Sequence, residues 1–289
     1  MHGDITLGGM RLDDFSDGPS RASTLPPVER TPLRRTLRRS VVEGVLYALM
    51  VSLGEVWFIA DVVRLGGRAL AVVLVSTLPL AVGSLGALLA MRLLADAPQR
   101  RPLVVAAVVG QAGVLAVLAG LTATSAIDEW GVIALACLYH GFGQAAATGW
   151  SSWFGDLVPA AIRGRYFGRR TGFVHGSTFV GLLLGGIALH LMEPKAAEAA
   201  GSGGLGYALL FALAAAFRLG SASLLRGSFE PERAPPPPAA PYREWLRSAE
   251  GHPARRLLPL AAAFLASVYV ASPLFAPYQL QVLKFSYPM

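Results

Sequence analysis

The chain has 289 residues, of which 54% are hydrophobic and 15% charged, with a formal net charge of +7. Ordinary soluble domains carry about 25% charged residues, so this composition excludes them as a class. The positive balance does not indicate a nucleic-acid binder, because the basic residues are dispersed between apolar runs and not gathered on one domain.

Residues 1–40 open with Asp4, Asp13, Asp14 and Asp17, contain Pro26-Pro27, and have no apolar core before Arg34, Arg35, Arg38 and Arg39. That pattern is not a signal peptide, and a mobile tail is expected. Apolar runs then follow near 41–63, 69–94, 103–124, 131–154, 172–192, 205–225 and 257–280. A hydrocarbon core of about 30 Å needs roughly 20 residues of helix. The runs lack the alternation of barrel strands, so the expectation is an all-α, polytopic helical membrane protein. Residues 41–226 form its six-helix bundle, 227–256 a linker containing Pro235 to Pro238, and 257–289 a seventh transmembrane helix and the end of the chain. Four prolines in a row act as a stiff spacer.

Glu55 lies in the first run, 14 residues after Val41, which places it about 20 Å into the core at 1.5 Å per residue. An ionised carboxylate there is costly, so it should face a cavity, find a cation or hold a proton. The other reading is that Trp57 marks the outer interface and Glu55 reaches it. Asp61 is read as interfacial. In the fourth run His140 and Gln144 are four residues apart, on one helix face, suited either to a solute or to a neighbouring helix. Arg218, in the sixth run, either attracts an anionic substrate, pairs with an acid such as Glu43, or extends towards the cytoplasm. In the fifth run Gly181 and Gly185 have the spacing that lets helix backbones approach closely.

Of the 25 basic residues only Lys195 and Lys284 are lysines. Arginines crowd the N-terminal flank and the second, fourth and sixth loops: Arg92, Arg100 and Arg101; Arg163, Arg165, Arg169 and Arg170; Arg243, Arg247, Arg255 and Arg256. The alternate loops hold Asp128, Glu129, Glu193 and Glu198. This asymmetry puts the N-terminus in the cytoplasm. No phosphate loop, zinc-ligand spacing or nucleophile elbow occurs, so neither enzyme activity nor a cofactor or metal is expected.

The segment Trp150-Ser-Ser-Trp153-Phe-Gly-Asp156-Leu-Val-Pro159-Ala-Ala-Ile-Arg163-Gly164-Arg165 resembles the loop between spans four and five of bacterial major facilitator superfamily transporters. Ala271-Ser-Pro273-Leu-Phe-Ala-Pro277-Tyr278 resembles a seventh span of that superfamily. Between runs two and three, Asp96, Arg100 and Arg101 fit the superfamily's loop signature, while Arg92, Ala97 and Gln99 depart from it. The resemblance implies a secondary transporter of a small solute in a bacterial inner membrane, possible proton coupling through Glu55, and a cytoplasmic cluster of Asp96, Arg100, Arg101, Asp156, Arg163 and Arg165 that latches the protein's halves. In that superfamily two six-span halves enclose the site. A chain with one half plus a seventh helix is expected to be an incomplete copy, or to need a missing C-terminal half or a partner chain. The rival expectation is a non-transporting membrane protein that assembles with a partner.

The charge asymmetry has a direct test. Alkaline phosphatase, active only outside the cytoplasm, is expected to be active when fused after Asp128 and inactive after Arg101 or Arg170. The opposite pattern would invert the topology.

Overall fold

The computed structural model describes residues 27–95, 97–198, 204–231, 244, 247–248 and 252–278. Among the described residues there is no strand. Helix α1 spans Pro27–Leu53; proline at a first helical position loses no intrahelical bond and has its φ already set. A 3₁₀ turn at Glu55–Trp57 follows, then a short helix α2 at Phe58–Arg64. Gly66, at φ 78°, turns the chain; glycine adopts that conformation without steric cost. Helix α3 is Ala69–Ala95 and α4 is Arg101–Ala123, with Pro102 in its first turn. Helix α5 is Glu129–Leu157, started by the Asp128 carboxylate, which accepts from the Gly131 N–H at 2.8 Å and so satisfies one of the unpaired donors of the first turn. Helix α6 is Arg163–Glu198, α7 is Leu205–Arg226 and α8 is His252–Pro277.

Five of these segments are long and apolar enough to cross a membrane: Pro32–Arg64, Ala69–Ala95, Arg101–Ala123, Arg163–Met192 and Leu205–Arg226. Helix α5, the expected fourth span, is not among them, because His140, Gln144 and five glycines dilute its apolar run. Nor is α8, whose side chains at 269–277 lie outside the described residues. The structure places three boundaries differently from the sequence reading. Helix α1 begins inside the expected tail, whose residues 1–26 lie outside the described residues. The first apolar run is interrupted at Gly54. Helix α6 starts at Arg163 and not near 172, since arginine is a good helix former and nothing between Arg163 and Gly172 stops the ladder. Pro235 to Pro238 also lie outside the described residues.

The helices pack as a row in the order α3, α5, α4, α7, α1, α6, and α8 touches α3 and α2. The end members α3 and α6 are the least covered. Two apolar clusters fill the bundle. One holds Trp57, Phe58, Leu115, Leu118, Tyr139 and Phe211. The other holds Leu33, Val104, Val108, Trp153, Phe154 and Leu225.

Without a strong hydrophobic force between helices in lipid, close backbone packing has to supply the association. Gly86 of α3 lies directly on the Gly141 backbone of α5, and Gly181 and Gly185 of α6 rest on Ser52 and Trp57 of the first span. A side chain at Gly86 would meet main chain and not a movable side chain. Gly86→Ala is therefore expected to lower stability by about 1–3 kcal/mol, read as a reduced unfolding temperature in detergent. An unchanged temperature would refute the close approach of α3 and α5.

Candidate functional site

The interruption in the first span follows from its backbone bonding. The Gly54 N–H donates to Met50 O at 2.9 Å, and the Trp57 N–H donates to Gly54 O at 3.0 Å in the tighter 3₁₀ pattern. The Trp57 indole N–H donates to Ser52 O at 2.8 Å, so a side chain supplies the donor for a carbonyl at the end of α1. Gly54 fits here because a Cβ would lie 2.9 Å from Met50 O and 3.1 Å from Ala214 Cβ. Short 3₁₀ stretches within a longer helix often mark functional positions. Glu55 is the first residue of this turn and is half-buried. Tyr139 of α5, wholly buried, donates its hydroxyl to Glu55 Oε2 at 3.0 Å and also lies 2.9 Å from Met50 Sδ.

His140 sets its ring edge-on to Tyr139, with centroids 5.3 Å apart, beside the Tyr139–Glu55 hydrogen bond. Gln144 is exposed; its Cγ packs where Gly83 of α3 lacks a side chain. The structure therefore groups Glu55 with Tyr139 and His140, while Gln144 makes no hydrogen bond to Glu55 among the described residues. Asp61 is fully buried within the protein, three residues before the end of the first span. It pairs with Arg64, N···O 2.7 Å, whose guanidinium lies over the Tyr207 ring.

Arg218 does not extend outwards. It is 4% exposed, donating from Nε to Gln111 Oε1 at 2.8 Å and from Nη1 to Ser221 Oγ at 3.3 Å. Ser221 donates to Glu43 Oε1 at 2.9 Å, and Arg218 Nη1 stands 4.0 Å from the same oxygen. Arg170 of α6 takes the other oxygen, Glu43 Oε2, at 2.8 Å; it also donates to Ser40 O at 3.1 Å and lies over the Trp150 ring. One carboxylate thus ties α1 to α6 and α7, and Gln111 brings in α4. On α1, α4 and α7 these polar residues fall between the two apolar clusters, where the bonds are shielded from water and stronger for it.

At the end of the bundle near Leu33 and Leu225 a second constellation forms. Arg100 pairs with Asp156 at 2.5 Å and donates to Ser152 O at 2.9 Å. The Glu230 carboxylate accepts the backbone N–H of Arg100 at 2.7 Å and of Arg101 at 3.0 Å. These are donors at the start of α4 with no intrahelical partner, where a negative charge is favoured. The Arg101 side chain reaches Ser228 O. Within the cluster expected from the sequence, the ion pair of Asp156 is with Arg100. Arg163 donates to Gly155 O and Val158 O at the end of α5, and Arg165 is exposed at the start of α6. Asp96 lies outside the described residues.

Tyr139, Gln111, Ser221 and Glu230 were not singled out from sequence. A signal existed for the first two, as polar groups within apolar runs, but their partners lie on other helices. No family model, curated protein or solved structure matches this chain.

Among the described residues no group of three or more His, Cys, Asp or Glu side chains is suited to a metal. The arrangement offers a carboxylate at a helix break held by a buried tyrosine hydroxyl, and a separate buried cluster of two arginines on one carboxylate. Breaking a buried pair by removing one partner leaves an uncompensated charge, at a cost of about 3–5 kcal/mol. Glu43→Gln is expected to destabilise by that amount in denaturant unfolding in detergent. A change below about 1 kcal/mol would mean that Arg170 and Arg218 do not depend on this carboxylate.

Proposed function

We propose that the protein is a secondary transporter of a small solute, with Glu55 as its proton- or solute-binding carboxylate. The observation that carries this reading is the position of Glu55 in a break of an apolar helix, held by the Tyr139 hydroxyl. Irregular backbone at membrane depth is tolerated where it is buried in protein or lines a cavity, and transporters place substrate and coupling-ion sites at discontinuous helices near the midplane. The absence of a nucleotide-binding motif in the sequence fits a carrier driven by gradients.

The finer reading is a six-span half of the major facilitator type with α8 as a seventh span, its N-terminus in the cytoplasm of a bacterial inner membrane. It rests on the loop resemblance and on the arginine asymmetry. In that reading the Arg100–Asp156 pair and the Glu230 carboxylate hold the cytoplasmic ends of α4 and α5 together.

The chain reconstituted in proteoliposomes with an internal pH dye is expected to move protons when a gradient is imposed with substrate present. Glu55→Gln keeps a hydrogen-bond acceptor for Tyr139 but carries no proton, and is expected to abolish that movement. Equal proton flux in both proteins, at every pH, would remove Glu55 from the mechanism.

A further inference from the structure

Among the described residues two carboxylates are buried, Glu43 and Asp61, and their oxygens are served differently. Both oxygens of Glu43 accept hydrogen bonds, Oε2 from Arg170 and Oε1 from Ser221. At Asp61 the Arg64 guanidinium spends two donors on one oxygen: Nε lies 2.8 Å and Nη2 2.7 Å from Oδ1. Oδ2 is buried and has no hydrogen-bond partner among the described residues. Hydrogen bonds to the charged form keep a buried carboxyl ionised, and a buried charge left half-served is costly. Glu43 is equipped to stay ionised, and Asp61 to take a proton.

The two also differ in what a proton would leave behind. Protonating Glu43 would strand Arg218, which is 4% exposed. Protonating Asp61 strands Arg64, whose side chain is 23% exposed at the end of the first span. A proton needs no cavity, and this position gives it a short path from water. Arg64 also joins α2 to the start of α7. Its guanidinium lies over the Tyr207 ring, 5.3 Å from the centroid, where the ring face attracts a cation. A Cβ on Gly204, the residue before α7, would lie 3.5 Å from Arg64 Nη1.

We propose that Asp61 is a proton-binding site and that its proton opens a clasp between α2 and α7. The inference goes beyond the transporter reading and does not depend on it. With Asp61 ionised, Oδ1 fixes the guanidinium over Tyr207. With the proton on Oδ2 the pair carries one net positive charge, on a side chain that turns to water, and α2 is released from α7. Of the elements packed against α2, the 55–57 turn faces it with Glu55 and α5 with Tyr139, which are bonded to each other. The Asp128 carboxylate before α5 is held by the Gly131 N–H. Helix α3 carries no ionisable side chain before Arg92, and α8 none after Arg256 among its described side chains. Arg64 is thus the ion partner that sets the state of Asp61.

The test uses the full chain in lipid nanodiscs, titrated from neutral to acid pH, with two readouts. Infrared absorption of protonated carboxyl groups reports which acids take a proton, and hydrogen exchange of residues 58–66 and 204–210 reads the clasp. A carboxyl band is expected to grow in with acid, present in Glu55→Gln and missing from Asp61→Asn. Exchange at both segments, corrected for its intrinsic pH dependence, should rise with that band. In Asp61→Asn it should be high at every pH. Arg64→Gln keeps the carboxyl and removes its cation, so the proton should bind roughly tenfold more tightly or better; a merely structural Asp61 would show no such change. Unfolding temperatures verify that each variant is folded, and Arg64→Gln decides the matter if Asp61→Asn is not. Identical carboxyl spectra for Asp61→Asn and the parent chain overturn the proposal. So does exchange at 58–66 and 204–210 that is indifferent to the state of Asp61. Loss of proton flux in Glu55→Gln would stand under either result, since that carboxylate is a separate site.

Discussion

The Glu43 carboxylate is the point on which the arrangement of the bundle turns. It is 4% exposed, accepts from Arg170 on one oxygen and from Ser221 on the other, and stands within 4.0 Å of Arg218. In water such contacts contribute little. In an apolar interior each unpaired charge would cost several kcal/mol, so the helices that carry the partners cannot separate without exposing one. The network fixes α1 against α6 and α7, and through Gln111 against α4, with apolar clusters packed on both sides.

The break at Gly54 depends on that scaffold. A loss of regular helix bonding is tolerated only where neighbours re-satisfy the freed groups. Here the Trp57 indole serves the Ser52 carbonyl, and Tyr139 serves the Glu55 carboxylate. Both donors are buried against the cluster of Phe58, Leu115 and Phe211. The irregular turn is therefore held by side chains from two helices, and its carboxylate is presented at a defined place. At the opposite end, Glu230 performs a comparable service for the backbone at the start of α4.

What the sequence determined by itself is the class of structure. Long runs without alternation can satisfy their backbone groups in lipid only as helices, and the described residues of those runs are almost wholly helical, with a break at Gly54. It also marked Glu55 and Arg218, because a charge within an apolar run is conspicuous without any knowledge of its neighbours. Tertiary structure decided the rest. Glu43 was one partner the sequence offered Arg218, but that Arg170 and Ser221 share that carboxylate, and that Gln111 bonds Arg218, depend on the order of helices, which no local pattern encodes. The interruption of the first span was hidden as well. Gly54 and Glu55 are compatible with a continuous helix, and only the approach of Ala214, Leu115 and Tyr139 makes the broken form the one that fits. Periodicity fixes how a segment bonds to itself; the pairing of distant polar groups is set by which faces meet.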